Sequence, residues 1–196
     1  GISQLGRENI QARDRGARII AAASAAFGGA FSCNSNKAEI AIGYATFYGD
    51  ICGAVAMIGD LWKRQVYALG RYLNDEVFKR EVIPDDIFAI RPSAELSDAQ
   101  TVGNGGDPLI YEYHDYLFQA FIEGRHKATP ADILRWYRDG SLADNLGCSK
   151  NIIDKAFPSA DVFIEDLERW WRLFSGFSVA KRIQAPPLIA ISKRAF

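Results

Sequence analysis

From Asn9 to Phe27 the sequence contains no proline and is dominated by small residues: Gly16, Ala17, Ala21, Ala22, Ala23, Ala25 and Ala26. Alanine is the strongest helix former, so this stretch predicts a helix. Gly28-Gly29 predicts its end. Asp14 and Arg18 stand four apart in the order that supports a helix. A helix with side chains this small can pack very closely against a neighbour.

The remaining composition limits the class. The chain has 196 residues, which suits one domain or little more, and 48% of them are apolar, enough for a real core. Lys and Arg number 23 against 24 Asp and Glu, so the net charge of −1 argues against a large basic nucleic-acid footprint or a polybasic membrane surface. No apolar run is long enough to span a membrane, and the polar N-terminus does not read as a signal peptide. Three cysteines fit a reducing, cytoplasmic setting better than a disulfide framework. Two histidines without HExxH or CxxC spacing argue against a zinc site or a histidine-based triad. The sequence starts at Gly1 and its single methionine is Met57, which reads as a piece of something longer.

Beyond the alanine-rich helix, Ala30 to Cys33 reads as a short buried strand. Asn36 and Glu39 have capping-box spacing for a second helix. Gly49 to Gly59 reads as loop and extended chain. Asp60 is expected to cap a helix reaching about Asn74, with Trp62, Val66, Leu69 and Leu73 on its apolar stripe. Pro84 opens a short helix to about Ile90, and Ala99 to Pro108 reads as a long loop. Helices are expected over Tyr111–Glu123, Pro130–Tyr137, Lys150–Phe157 and Val162–Phe174. Leu188 to Ser192 is a further short strand. The pattern is that of a helix-rich α/β domain.

Individual polar residues have ordinary readings beside functional ones. Arg13 and Arg15 lie about 200° apart on an α-helix, so they should not serve the same face. Glu39 reads as a capping glutamate, or as a hard oxygen ligand for magnesium. Lys63, in the first turn of its helix, opposes the helix dipole unless an anion sits there. Asp50 suits a turn. Gly103-Asn104-Gly105-Gly106 lacks the flanking strand and helix of a dinucleotide fingerprint. His114 and His126 read as surface or helix-face residues. Trp170 and Trp171 are adjacent, and at least one should pack in the core.

Taken in order, several segments resemble the NAD synthetases. Glu8-Asn9-Ile10-Gln11-Ala12-Arg13-Asp14-Arg15 is similar to their "EN-hydrophobic-QAR-x-R" helix. Ser35-Asn36-Lys37-Ala38-Glu39, then Gly43 to Asp50, resembles "SNKSE…GYxTxYGD". Ile58 to Val66 and Pro92-Ser93-Ala94-Glu95-Leu96 resemble two further motifs, and Arg182 to Pro187 with Arg194-Ala195-Phe196 resembles the ending of the glutamine-dependent members. The likeness is strongest over residues 8–101 and 181–196. Asn34 stands where many members have Thr or Ser, and Leu188 to Ile191 replaces a usual Gly-Leu-Lys-Val.

This resemblance implies a helix-rich C-terminal half of an adenine-nucleotide alpha-hydrolase-like domain, Rossmann-like and of the PP-loop ATPase type. It divides the chain into a synthetase core (1–101), a helical insert (102–180) and a C-terminal arm over the substrate site (181–196). It implies ATP-dependent amidation of deamido-NAD through an acyl-adenylate, with magnesium as cofactor and ammonia drawn from glutamine. Asn34, Lys63 and Ser93 would contact ATP, and Glu39 would ligate magnesium. Asn9, Arg13, Tyr44, Ala45, Thr46, Phe47, Asp50 and Lys181 would contact deamido-NAD. No catalytic residue is assigned. A homodimer or higher homo-oligomer is implied, with the alanine-rich helix at the interface. The family's phosphate loop, "SGGxDS", has no match in the sequence, so the chain alone is expected to be inactive. The alternative is a non-catalytic dinucleotide-binding or dimerisation module.

Overall fold

A computed structural model describes residues 1–96, 101 and 106–196. The N-terminal helix begins before Asn9. It runs as α1 (Gln4–Arg13), a π-helical segment (Asp14–Ile20) and α2 (Ala21–Ala26) without a break. Ser3 caps it, its Oγ accepting from Gly6 N–H at 3.1 Å. Gly28 leaves the helix at φ 66°, a conformation that favours glycine. Most of this helix is exposed, and only Ala12 and Gly16 are buried. They are one turn apart and rest on the segment 46–52. A Cβ on Gly16 would lie 2.6 Å from the Gly49 carbonyl oxygen, so the close approach requires glycine.

Strand content is lower than the sequence suggests. Within the predicted Ala30–Cys33 strand only Cys33 pairs, with Ala56 in parallel, and Ala56 pairs in parallel with Leu188. Cys33 N–H donates to Val55 O at 2.9 Å and Ala56 N–H to Pro187 O at 2.8 Å. This three-segment seam, with Ile40 and Ile51, forms a small apolar cluster. It positions two neighbouring stretches: the turn into α3 (Lys37–Ile42) after Cys33, and the C-terminal arm after Leu188.

Next come α4 (Lys63–Tyr72), a second π segment (Leu73–Phe78) and α5 (Asp85–Ala89). Asp60 does not cap α4, whose N-cap is Trp62. The expected stripe is also narrower: Trp62 is fully buried, but Leu69 is 41% exposed. The helix instead buries Gly70, where a Cβ would meet the Phe88 ring at 2.8 Å.

The remaining helices are α6 (Tyr111–Ile122), α7 (Pro130–Arg138), α8 (Leu142–Leu146), α9 (Lys150–Ala156), α10 (Ala160–Ser175) and α11 (Ser178–Gln184). The sequence pattern anticipates four of these; α8 and α11 are too short and too weakly punctuated to stand out. Most of the long loop expected at Ala99–Pro108 lies outside the described residues, as do Gly103, Asn104 and Gly105.

One large core joins Ala38, Ala41 and Ile42 of α3 to Trp62, Tyr113, Leu117, Phe118, Phe163 and Trp170. Trp171 packs at its edge. His114 is not a surface residue; it is fully buried. Its Nδ1 accepts from Ile110 N–H at 2.8 Å, which leaves the proton on Nε2 to meet Asp166 Oδ2 at 3.0 Å. The partner lies 52 positions away, beyond any local pattern. Among the described residues no helix is long and apolar enough to cross a membrane.

The charge that Asp60 carries is used elsewhere. Lys37 is fully buried. Its three N–H bonds are shared among four oxygens: Asp60 Oδ1 (2.7 Å), Glu123 Oε1 (2.6 Å), Ser192 Oγ (3.0 Å) and Arg194 O (2.8 Å). Asp60 Oδ2 accepts from Ile191 and Ser192 N–H at 2.7 and 2.6 Å. Trp62 Nε1–H donates to Glu123 Oε1 at 2.9 Å. These bonds to Asp60 outweigh its burial and hold its carboxyl below the ordinary value. Removing one partner of a buried ion pair leaves an uncompensated charge and typically costs about 3–5 kcal/mol. Lys37→Met is expected to lower stability by about that much in urea unfolding, and Lys37→Met/Asp60→Asn to recover part of it. Hydrogen exchange in the single variant should rise first at 189–194.

Candidate active site

The site is built around the turn that ends α3. Asn36 Oδ1 accepts from Ala38 and Glu39 N–H at 2.9 and 3.2 Å, and Glu39 Oε2 accepts from Asn36 N–H at 2.9 Å. The capping box is therefore complete. Gly43 closes the helix at φ 64°, and a Cβ there would collide with Lys181 Cδ at 2.8 Å. The chain then loops through 44–51, with Asp50 Oδ1 accepting from Thr46 N–H at 2.6 Å.

Two helices hold this loop from opposite sides. On one side, Thr46 Oγ1 donates to Asn9 Oδ1 at 2.7 Å, and Arg13 Nε donates to Phe47 O at 3.0 Å. On the other, Lys181 Nζ donates to Gly43 O at 2.7 Å and also to Ala45 O. Gln184 accepts from Tyr48 N–H at 3.3 Å and donates to Ile51 O at 3.1 Å.

Two adjoining cavities result. The larger, about 440 Å³, is lined by Asn9, Arg13, Tyr44, Ala45, Thr46 and Phe47, with Asp50 and Lys181. These are the residues for which the family resemblance implies contact with deamido-NAD. The smaller, about 250 Å³, is lined by Asn34, Glu39 and Ser93, with Arg15, Asp50 and Asp107. Tyr44 and Asp50 line both. Three of the four residues assigned to ATP and magnesium thus meet in one place. Lys63 lines neither cavity. Its Nζ lies 5.3 Å above the Tyr111 ring and 5.6 Å above Tyr67.

Two expectations about cations can be compared with the structure. Arg13 and Arg15 both face the site region, one at each cavity. They line different cavities, as residues two apart on a helix should, and the π segment that begins at Asp14 does not bring them to one face. The N-terminus of α4 is also already served by an anion: Arg64 N–H donates to Asp115 Oδ2 at 2.9 Å. Any phosphate contact from this region falls to the Lys63 side chain.

Asp107, Tyr111 and Phe177 are site residues that no sequence motif marks, and Arg15 closes the motif of the first helix with no role implied for it. The Tyr111 hydroxyl reaches Asp107 Oδ2 at 2.9 Å and Glu39 Oε1 at 3.2 Å, and the Tyr44 hydroxyl reaches Asp107 Oδ1 at 3.4 Å. Asp107 precedes Pro108 in a glycine-rich stretch, where no periodicity singles it out. Burial pushes the Glu39 carboxyl up, against the pull of the Lys63 charge. Burial likewise raises the Tyr44 and Tyr111 hydroxyls and lowers the Lys181 ammonium. Among the described residues no group of three or more His, Cys, Asp or Glu side chains is placed to hold a metal by itself. Cys33, Cys52 and Cys148 are free thiols.

The sequence model of the family described as NAD synthase matches residues 2–139. The chain belongs to the NAD synthase family. It is 43% identical over 116 residues to the glutamine-dependent NAD(+) synthetase of Thermotoga maritima, covering 59% of this chain and 19% of that protein. With the Xanthomonas campestris pv. campestris enzyme of the same name it shares 42% over 114 residues, 55% of this chain and 20% of that one. With the Synechocystis enzyme it shares 37% over 130 residues, 66% and 22%. The chain therefore spans about a fifth of the length of these curated relatives. A solved glutamine-dependent NAD+ synthetase from Acinetobacter baumannii, in complex with adenosine diphosphate, is 26% identical, with a TM-score of 0.38 over 95% of this chain and 27% of that one.

Two consequences can be measured. Burial raises the Asp115 carboxyl from 3.8 to about 6. Between those values the folded state holds a proton that the unfolded state has lost. This contribution is full below pH 3.8 and is lost as pH rises through about 6. It amounts to about 3 kcal/mol. Asp115→Asn should remove that slope from urea-unfolding free energies measured across the interval. Gly16→Val, placing atoms against the Gly49 carbonyl and Cys52 Sγ, should lift the N-terminal helix from the loop. Faster labelling of Cys52 by a thiol reagent, located by mass spectrometry, is the expected readout; an unchanged rate would contradict the contact.

Proposed function

We propose that this chain supplies the dinucleotide-binding part of an NAD synthetase, which converts deamido-NAD to NAD with ATP and ammonia drawn from glutamine. The observation that carries this reading is the adjacency of the two cavities across Tyr44 and Asp50. Amide formation from a carboxylate needs a better leaving group than oxide, and adenylation provides one. The carboxylate of one ligand and the α-phosphate of the other must then meet, and two cavities sharing a wall suit that requirement.

On this reading the larger cavity takes deamido-NAD. Arg13 has no carboxylate partner among the described residues, so its guanidinium is available to the ligand's negative charge. Lys181 adds a second cation while bracing Gly43 and Ala45. The smaller cavity takes ATP, with Asn34 and Ser93 as hydrogen-bonding groups, Lys63 nearby, and Tyr44 and Leu96 helping to exclude water. Glu39 keeps lone pairs beyond those used by Asn36 and Tyr111 and lines this cavity, so it fits as one hard oxygen ligand for magnesium, with phosphate oxygens as the others. When bound, the ion would neutralise phosphate charge.

We further assign the fold to the PP-loop ATPase type, with 1–101 as synthetase core, 102–180 as helical insert and 181–196 as C-terminal arm. The exposed Ile10, Ile19 and Phe27 on the N-terminal helix support a homodimer packed along it.

Calorimetry tests the assignment. The chain should bind deamido-NAD, and Arg13→Ala should weaken binding at least tenfold, as loss of a charged hydrogen bond does. Unchanged affinity would sink the reading. With deamido-NAD, ATP, magnesium and ammonia the chain alone should form no NAD. A purely structural module would bind no dinucleotide at all.

A further inference from the structure

Phe177, at the start of α11, is 66% exposed although it is a large apolar side chain lining the larger cavity. Its ring centroid lies 5.6 Å from that of Phe47, tilted by 44°. Lys181, one turn further along α11, holds its ammonium 5.8 Å from the Phe177 ring centre. The same mouth carries Leu5, 65% exposed, and Leu173, 38% exposed. An apolar rim beside the cations Arg13 and Lys181 matches a ligand with a flat ring at one point and negative charge at another. Neither Phe47 nor Phe177 reaches the smaller cavity. An aromatic face left open to solvent next to a cation is the arrangement that stacks a planar heteroaromatic ring.

We propose that Phe177, with Phe47, is a specificity-determining residue of the larger cavity: the two rings form the wall on which one planar heteroaromatic ring of the dinucleotide stacks. This rests on the reading of that cavity as the deamido-NAD site. The ring comes from either end of the ligand, pyridine or purine, and both present the same flat face. Because Phe177 is mostly exposed, replacing it leaves the large core intact, and Phe177→Leu keeps apolar bulk while removing the aromatic face.

The test is calorimetry with three ligands: deamido-NAD, ADP-ribose (which lacks the pyridine ring) and nicotinic acid mononucleotide (which lacks the purine). Phe177→Ala and Phe177→Leu should each weaken deamido-NAD by about tenfold, the effect of one stacked ring. Phe177→Trp should retain affinity. One half-ligand should weaken in parallel and the other stay within about twofold, which identifies the stacked ring. Unchanged deamido-NAD affinity in Phe177→Ala, or equal loss of both half-ligands, would overturn the proposal. If the unsubstituted chain binds none of the three, the assignment of the cavity itself falls, which is a different failure from loss of Phe177 dependence.

Discussion

The ammonium of Lys37 is the point on which the rest of the structure hangs. It is fully buried, and its acceptors come from four places in the chain: the segment before α4, the end of α6, and two positions of the C-terminal arm. An isolated buried ammonium is prohibitively costly, so it persists only because two carboxylates and two further oxygens surround it. The same contacts fix the site. Lys37 is the first residue of α3, two positions before Glu39. The neighbouring Asn36 and Glu39 cap each other. Anchoring the start of α3 therefore fixes both the carboxylate facing the smaller cavity and, through Gly43, the loop that lines the larger one.

That loop packs Tyr44, Ala45 and Ile51 against the two apolar clusters, and polar bonds to its backbone shape the rest. Asn9 and Arg13 hold it from one helix, Lys181 and Gln184 from another. Several of these groups are the ones a ligand would meet, so a single set of side chains both shapes the cavity and lines it. Arg182 completes the clamp away from the cavity, donating to Ala41 O and packing over the Phe174 ring at 5.1 Å. Arginine suits this work, because its planar fork serves several carbonyls while its face covers an aromatic ring.

The legibility of each feature in the sequence depends on how local its signal is. The capping box at Asn36 and Glu39 needs only four residues, and it is present in the structure. The helices at Tyr111 and Pro130 begin where their signals place them. The site residues are readable because they sit in short motifs, and eight of them line one cavity. Asp60 misleads as a cap because its partners, Lys37 and residues 191–192, are remote in sequence, while a helix start lies close by. His114 misleads for the same reason. Single parallel bridges at Cys33, Ala56 and Leu188 are too short to leave a period-two pattern. Arg13 and Arg15 sit in one short motif, and their spacing of two places them at different cavities, as the helical period requires.

The charges around the smaller cavity set a condition on anything that enters it. Among the described residues, Glu39, Asp50 and Asp107 line it against a single cation, Arg15. Two unit charges about 4 Å apart interact by about 4 kcal/mol at an effective dielectric of 20. A bare triphosphate would therefore meet net repulsion here, although the chain as a whole is almost neutral. The Lys63 charge already favours the ionised form of Glu39, so it only partly offsets this. The larger cavity carries no such excess, with the two cations Arg13 and Lys181 against the two carboxylates Glu8 and Asp50. On the proposed reading, an anionic dinucleotide would meet no net repulsion from the larger cavity's own charges. A nucleotide in the smaller one needs positive charge brought with it, as a divalent ion or from another segment. On the proposed reading, the two ligands therefore differ in the charge each must bring, with Asp50 on the wall between the cavities.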